Sequence, residues 1–357
     1  MNKTTLWFTR GFSNMYQVLG DIRAADVAGK YRLLCSHPSP DFPARELADE
    51  FFSEPQDNGA GYVDFICHEI AARGVDVLIP THRQALLDRN RKRIEALGCV
   101  LVTTASADTL DIINDKAALY DFLQGKGIVN IPEYRVATQR IEFMQAYIDL
   151  AYDPDRNNSG APTLPVCFKP TRGVYGRGFR LLSAKPDTFA DVLNEAKVIS
   201  VDTVASLLAT GNTVPLIVMR YLEGDERSVD CLAYKGRLVN CAIRHKSEVK
   251  GSAQVIESDE NITNQVKALT RELDLNGMYN VQFKDMDGVP YLLEINPRLA
   301  GRSYYATMAG FNIPYLAAEI FSDPLADIAD ATAWRSRGLR VGNVEQGVVL
   351  SAAGTRV

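Results

Sequence analysis

The sequence predicts an α/β chain that opens on a doubly wound parallel sheet and continues into an α+β region. Two observations carry this. Over the first ~110 residues, short apolar runs recur at helix-length intervals, the pattern of right-handed strand–helix–strand crossovers. After "YLEGDE" (221–226) the runs instead follow one another through tight turns, as antiparallel hairpins do. A chain of 357 residues is too long for one small core, so two or three domains are expected.

In order, "TTLWFT" (4–9) predicts the first strand, ending in the loop "RGFSN". "MYQVLGDIRAAD" reads as a helix and "YRLLCS" (31–36) as the second strand. "GYVDFICHEIAARG" is helical, with Gly74 as its stop signal, and "VDVLIP" (75–80) is the third strand. "QALLDRNRKRIEALG" reads as one helix ended by Gly98, and "CVLVTT" (99–104) as the fourth strand. In such sheets ligands sit at the carboxyl ends of the strands. Those ends are Arg10–Asn14 and Pro80–Arg83, which makes Arg10, Gly11, Thr81 and His82 candidate substrate contacts. A dinucleotide-binding domain wants GxGxxG directly after the first strand, and "TRGFSNM" holds a single Gly.

"NDKAALYDFLQGKG" (114–127) predicts a helix capped by Asn114 or Asp115 and stopped by Gly125. A different region begins at "GIVNIPEYRVAT", and "DPDRNNSGAPTLP" (153–165) reads as a loop. Strand "VCFK" (166–169) runs into "PTRGVYGRG" and strand "FRLLS", and a helical stretch over 187–210 leads to "VPLIVMRYLEGDE". A hairpin "RSVDCLAY-KG-RLVNCAIRHK" follows, with Gly236 in its turn. Then come a helix over 259–274, the pair "MYNVQFKDMDGVPYLLEIN", helices over 303–310 and 314–322, and a strand-like run "GVVLSA". There is no internal repeat and no low-complexity segment.

Composition excludes several classes. Charges sum to 39 − 44 = −5, so no global basic field favours nucleic acid. No apolar run approaches the ~18 residues needed to span a bilayer, and the N-terminus lacks a signal-peptide core, so a cytoplasmic protein is expected. Six scattered Cys without a CxxC pair read as reduced, buried thiols, and four dispersed His offer no Cys/His zinc site.

Three stretches could carry chemistry. In "MYNVQFK" the period of two puts Asn280, Gln282 and Lys284 on one face and Tyr279, Val281 and Phe283 on the other. In "YLLEIN", Glu294 and Asn296 share a face, with Tyr291, Leu293 and Ile295 behind. The two polar faces coincide if the intervening loop has an odd number of residues, which "MDG" supplies with Gly288 left-handed. Gln282, Glu294 and Asn296 would then form an oxygen-rich cluster of the kind Mg²⁺ accepts when phosphates complete its shell. Arg298 and Arg302 lie just beyond, able to meet phosphate charge. The blander alternative is a polar patch on a solvated sheet face.

The second stretch is "FKPTRGVYGRGF" (168–179). Lys169 ends a strand, and three Gly let the backbone approach a phosphate with its N–H groups. An ordinary Gly-rich hairpin is the competing account, and the spacing is not that of a P-loop. The third is "VMRYLEGDERSVD" (218–230), where backbone groups at 220 and 222 could read an adenine edge and a nearby acid could accept from ribose. A charged turn between two strands would look the same.

Together and in this order, "NDK", "FKP…GxxGRG", "YLEGDERSVD" and "NVQF…YLLEINPRLAGRS" resemble the ATP-grasp superfamily, in its carbamoyl-phosphate-synthase-like and biotin-carboxylase-like branch. The resemblance implies a pre-ATP-grasp α/β domain over 1–112, a small lid subdomain over 113–222, and a large subdomain over 223–357 with the metal site and tail. It implies that Lys116 and Lys169 bind ATP phosphates beneath a flap of Gly173, Gly176 and Gly178. Main-chain groups around Arg220, Tyr221 and Leu222 would hold adenine, and Glu226 the ribose. Gln282, Glu294 and Asn296 would hold two Mg²⁺, for which Mn²⁺ can stand in, with Glu294 bridging. Arg298 would stabilise the transferred phosphoryl, and Arg244 falls where relatives often place a basic residue facing an acyl phosphate. Two departures matter: Val174 and Tyr175 make the flap less Gly-rich, and Gln282 stands where Glu is usual.

The implied activity is ATP- and Mg-dependent carboxylate–amine ligation through an acyl phosphate. The implied partners are a small, amino-acid-like carboxylate and an amine, with a homodimer left open. The GxGQLG-like opening of purine-pathway relatives is absent. Two other readings stand beside the ligase: an ATP-binding regulatory or scaffold protein, and a phosphotransferase without ligation. His82 and His245 are open as general bases.

Overall fold

The computed structural model describes residues 3–12, 14–56, 59–152, 162–173, 176–189, 197–211, 213–246, 253–323, 338–344 and 347–350. Val174, Tyr175 and most of the expected 153–165 loop lie outside the described residues.

Strand β1 (Thr4–Thr9) shows why the first region folds as it does. Leu6, Trp7 and Phe8 are fully buried, and alternation sends them into two different layers. Leu6 and Phe8 pack against Val18, Leu19 and Ile22 of helix α1 (Met15–Ala25). Trp7 packs on the opposite layer with Tyr62, Ile66 and Ile70 of helix α2 (Ala60–Arg73). With β2 (Tyr31–His37), β3 (Glu50–Ser53), β4 (Val77–Pro80) and β5 (Val100–Leu101), it forms a parallel sheet of order β3-β2-β1-β4-β5. That is the expected doubly wound sheet, with β3 added. "EFFS" is too short and too little patterned to announce a strand. The expected helix over 84–98 is two, α3 (Gln84–Arg89) and α4 (Arg91–Glu95), divided at Asn90. The expected strand over 99–104 shrinks to β5.

Helices α5 (Ala107–Ile113) and α6 (Lys116–Leu123) follow, the first unmarked in the sequence reading. Asp115 caps α6, its Oδ1 accepting from the Ala117 and Ala118 amides at 3.1 and 3.3 Å. Next come β6 (Tyr134–Ala137), α7 (Arg140–Ala151), β7 (Val166–Pro170), β8 (Arg180–Ser183), β9 (Val198–Ser200), α8 (Val201–Leu208) and β10 (Leu216–Arg220), in a sheet of order β6-β10-β7-β8-β9. Of the expected helix over 187–210, residues 190–196 lie outside the described residues; among those described, Val198–Ser200 form a short strand and Val201–Leu208 a helix of two turns. Val166 and Phe168 pack against Phe143 and Leu150 of α7 and Val204 of α8. Alternation therefore sends Cys167 and Lys169 to the opposite face.

The remaining strands are β11 (Glu226–Tyr234), β12 (Arg237–Lys246), β13 (Gln254–Glu257), β14 (Gly277–Met286), β15 (Val289–Asn296) and β16 (Arg340–Val341), in the order β15-β14-β11-β12-β13-β16. Helices α9 (Glu260–Glu272), α10 (Tyr304–Met308) and α11 (Ile313–Ser322) accompany them. The tail run over 347–350 forms no strand.

The β14–β15 hairpin corrects one expectation. Its loop is the two residues Asp287 and Gly288, both left-handed at φ 53° and 77°, as a type I′ turn requires. The phase change comes instead from inside β15. The Tyr120 hydroxyl donates to the carbonyls of both Leu292 and Leu293, at 2.9 Å each. Successive carbonyls pointing the same way break the regular alternation, as at a bulge. Pro290 and Leu292 are buried, then Ile295, so Glu294 and Asn296 take the phase of Tyr291 rather than of Leu292.

The chain folds as two compact units. One comprises Met1–Asp111, Asp225–Gln282 and Ile295–Val357, and the other Ile112–Gly224 and Phe283–Glu294. Most of the first and third expected segments therefore fall in one unit, while residues 283–294 of the β14–β15 hairpin are counted with the other. Among the described residues no helix is long and apolar enough to cross a membrane. All six cysteines are free, and all but Cys67 are buried.

Candidate active site

In the second unit, two lysines come off different elements toward one strand. Lys116 opens α6, and its side chain is 8% exposed. Its Nζ donates to the Gly173 carbonyl at 3.1 Å and lies 3.4 Å from Glu294 Oε2. Lys169 leaves β7 on the face opposite Phe168, and its Nζ reaches the Leu293 carbonyl at 3.4 Å. The Glu294 carboxylate is 18% exposed. Tyr120, which the sequence reading did not single out, fixes the residues just before Glu294 through its hydroxyl, and burial pushes its pKa up. A charged lysine ammonium beside a carboxylate at a strand end is a setting into which phosphates can enter.

The Gly-rich loop is tied to the same place. Asp115 Oδ2 accepts from Arg172 Nε at 3.0 Å, so the residue that caps α6 also holds the root of the loop. Gly178 has φ 78°, and a Cβ there would lie 2.8 Å from Pro170 Cδ, so glycine is required. At the end of β10, the Arg220 amide donates to Glu133 O at 3.1 Å and the Tyr221 amide to Pro165 O at 2.9 Å. Leu222 is buried. The Lys284 ammonium stands 5.2 Å over the Tyr221 ring, and Phe179 packs 6.1 Å from that ring. Nothing local in the sequence links Lys284 to Tyr221.

The first unit carries the other candidates. Gln282 is half-buried between Val281 and Phe283, and Asn296 is half-buried after Ile295. Asn280, expected on the polar face with Gln282, is fully buried instead, its amide donating to Ser228 Oγ, Val229 O and Asp230 Oδ1 at 3.0–3.1 Å. Glu226 pairs with Lys246. The Arg298 guanidinium lies 4.5 Å over the Phe12 ring, and Arg302 is exposed at the start of α10. Arg244 is 1% exposed. Its Nε donates to Asp230 Oδ2 at 2.6 Å, Nη1 to Gln254 Oε1 at 2.7 Å and Nη2 to Ser228 Oγ at 2.8 Å. His245 bonds Asp225 at 2.8 Å.

The carboxyl ends of β1 and β4 form a further polar edge. Arg10 and Arg83 both adopt positive φ, 40° and 56°, a strained conformation that persists only where surroundings enforce it. Glu54, absent from the sequence reading, is a buried anchor. It accepts from Tyr62 Oη at 2.8 Å, Ser36 Oγ at 2.9 Å and the Arg10 amide at 3.0 Å, and burial raises its pKa. Thr81 Oγ1 donates to Thr9 O at 2.9 Å, and a Cβ on Gly11 would meet Met15 Cβ at 2.6 Å. Partial burial, then Arg10 and Arg83, push the His82 pKa down to about 4, so its imidazole is neutral at pH 7.

The donor set suits Mg²⁺ shared with a nucleotide. Glu294 offers a carboxylate in the second unit, and Gln282 and Asn296 offer amide oxygens in the first, all hard ligands of the kind Mg²⁺ takes when phosphate oxygens complete its shell. Among the described residues no group of three or more His, Cys, Asp or Glu forms a self-sufficient metal cage.

A parallel-sheet domain followed by two α+β sheets, with paired lysines, a Gly-rich loop and a Glu-x-Asn strand end, defines an ATP-grasp fold. Solved structures share it. A biotin carboxylase–β,γ-ATP complex from Campylobacter jejuni matches with TM-score 0.65 and 14% identity, covering 93% of this chain and 74% of that one. An L-amino acid ligase from Bacillus licheniformis matches with TM-score 0.60 and 15% identity, covering 93% and 76%. In sequence, residues 212–346 match the family described as "ATP-grasp in the biosynthetic pathway with Ter operon". The carbamoyl phosphate synthase large chain of Clostridium beijerinckii is 20% identical over 250 residues, which cover 64% of this chain and 19% of that one. The chain carries an ATP-grasp domain, similar in sequence to that large chain and alike in fold to the biotin carboxylase. It spans about a fifth of the length of the curated relatives it matches.

Proposed function

We propose that this chain is an ATP- and Mg²⁺-dependent carboxylate–amine ligase that forms an amide on a small, amino-acid-like substrate through an acyl phosphate. The observation that carries it is the meeting of Lys116 with Glu294 at 3.4 Å, with Lys169 on the residue before Glu294. Likeness to ligases, one of them an L-amino acid ligase, supports the same reading.

Lys116 and Lys169 bind the β- and γ-phosphates, and the loop carrying Gly173, Gly176 and Gly178 closes over them. The Arg220 carbonyl and the Leu222 amide read the adenine edge, and Glu226 accepts from the ribose. Glu294, Gln282 and Asn296 would hold Mg²⁺, which when bound would supply charge neutralisation at the phosphates. The substrate carboxylate attacks the γ-phosphorus in line, the bond to the β,γ-bridging oxygen breaks with ADP as leaving group, and Arg298 stabilises the charge that develops on the phosphoryl oxygens. Loop closure keeps water from the acyl phosphate. An amine then attacks the acyl carbon, phosphate leaves, and the amide forms. Arg244, whose guanidinium is enclosed by Asp230, Gln254 and Ser228, positions the sheet rather than meeting the phosphoryl. With a pKa near 4, His82 contacts substrate as a neutral donor or acceptor rather than as a base.

Phosphate release from ATP, followed with acids and amines singly and in pairs, tests this. Release that needs both an acid and an amine supports ligation. ADP formation with the acid alone, without phosphate release and with a stable phosphorylated product, would make it a phosphotransferase. ATP binding without ADP formation in any combination would leave a regulatory role.

A further inference from the structure

Beside Arg298, the carboxyl ends of β1 and β4 enclose a pocket that belongs wholly to the first unit. Its walls are apolar: Phe12, Met15, Val18, Val102, Met278 and Leu299. The polar side chains that touch it are engaged with main chain. Asn14 Nδ2 donates to Ala300 O at 3.1 Å. Gln84 Nε2 donates to Pro297 O and its Oε1 accepts from the Thr104 amide, both at 2.6 Å. These bonds fasten the Pro297–Ala300 loop to the sheet edge and set the guanidinium of Arg298 over Phe12. Among the described residues no acidic side chain lines the pocket. Its volume is about 30 Å³. A water-sized group needs roughly 10–15 Å³ on this measure, so about two or three methyl-sized groups fit.

We propose that this pocket takes the tail of the carboxylate substrate, and that the tail is short and aliphatic. The inference rests on the ligase reading, which brings the substrate carboxylate to Arg298. One cation at the rim of an apolar recess is complementary to an acid with a short hydrocarbon tail. An aromatic tail overfills the recess, and a second carboxylate inside it would lose its water without a partner. An α-amino group would stay outside, at the rim.

The test is a dissociation-constant series for straight-chain acids from acetate to hexanoate, with succinate and phenylacetate, by titration calorimetry in the presence of Mg²⁺ and a non-hydrolysable ATP analogue. Phosphate release with an amine panel is measured in parallel. Each buried methylene is worth about fourfold in affinity, so binding tightens up to the three- or four-carbon acids. It then weakens at least about tenfold for hexanoate, phenylacetate and succinate. Val102→Leu and Val18→Leu each move the optimum to a shorter acid. Equal affinities along the series, tightest binding of succinate or phenylacetate, or no binding at all would overturn the inference. Phosphate release without chain-length preference would overturn it while the ligase reading stands. Length-dependent binding with no release under any amine would overturn the ligase reading and keep the pocket's specificity.

Discussion

Arg244 and Lys116 are both buried cations, and they are held in opposite ways. Arg244, on β12, has Asp230 (0% exposed) and Ser228 of β11 and Gln254 of β13 each taking one of its nitrogens, with Asn280 bracing Asp230 in turn. Lys116 meets one loop carbonyl and one carboxylate that is itself partly exposed. The first set fixes a geometry, and disturbing it strands a charge in the interior. The second offers contacts that phosphate oxygens can replace at similar distances. A basic residue on a strand of an ATP-grasp domain is thus not a phosphate ligand by its type alone. Its partners decide.

The sharpest way to test that contrast is Glu294→Ala. Turnover should fall by about a thousandfold or more, as expected when a metal-holding carboxylate is lost, while the thermal midpoint stays close to wild type. A wild-type rate of phosphate release would remove Glu294 from the chemistry. Arg244→Met should do the reverse. Stranding Asp230 costs about 3–5 kcal/mol of stability in denaturant unfolding, and adding Asp230→Asn should recover part of it. If Arg244→Met instead kept full stability and lost only turnover, the two cations would share a role.

Lys116→Met removes charge-assisted contacts worth about 1.5–3 kcal/mol, so ATP affinity should weaken roughly 10–100-fold, read by titration, with stability little changed. Gly178→Ala forces a side chain into a left-handed backbone against Pro170, a cost of about 1–2 kcal/mol. Its signature is a several-fold rise in KM for ATP. No change would mean that this loop does not close on the nucleotide.

The smallest effect concerns Asp21, whose carboxyl burial pushes up to about 6, against 3.8 unperturbed, although Thr307 donates to it at 2.7 Å. Its folded pKa lies above its unfolded one, so the folded state binds the extra proton. Stability is therefore highest below about pH 4 for this group and declines as pH rises through 6. Asp21→Asn should stabilise the protein by about 1–2 kcal/mol at pH 8 and by little at pH 4. A difference independent of pH would refute this.

The two hairpins show what could not be read in advance. Both close through a residue pair ending in Gly, Lys235–Gly236 and Asp287–Gly288, and all four residues have positive φ. In β11–β12, Leu232 faces Asn240 while Ala233 faces Leu238, so Val239 is an extra residue that shifts the register by one. In β15 the burial phase changes after Leu292, where Leu293 and Glu294 are both half-buried before the buried Ile295. The odd count assigned to the 286–288 loop is in fact taken up inside the strand, because Tyr120 provides a partner for the displaced carbonyl. Asn90 broke a helix for a comparable reason, as its amide Nδ2 bonds Leu86 O and the chain restarts with Arg91 held by Asp88 and Leu101 O.

What the sequence determined by itself was whatever short-range chemistry can encode. Periodicity set the core face of β14 through Tyr279, Val281 and Phe283, Asp115 and Asp259 capped their helices, and the order of Lys, Gly-rich loop and Glu-x-Asn specified an ATP-grasp domain. What the tertiary structure alone decided was partnership. Glu54 became the anchor of Arg10 across 44 residues, Gln84 and Asn14 fastened a loop more than 200 residues away, and Arg244 was enclosed. Burial and hydrogen bonding depend on which distant segments arrive at a residue, and no local pattern records that.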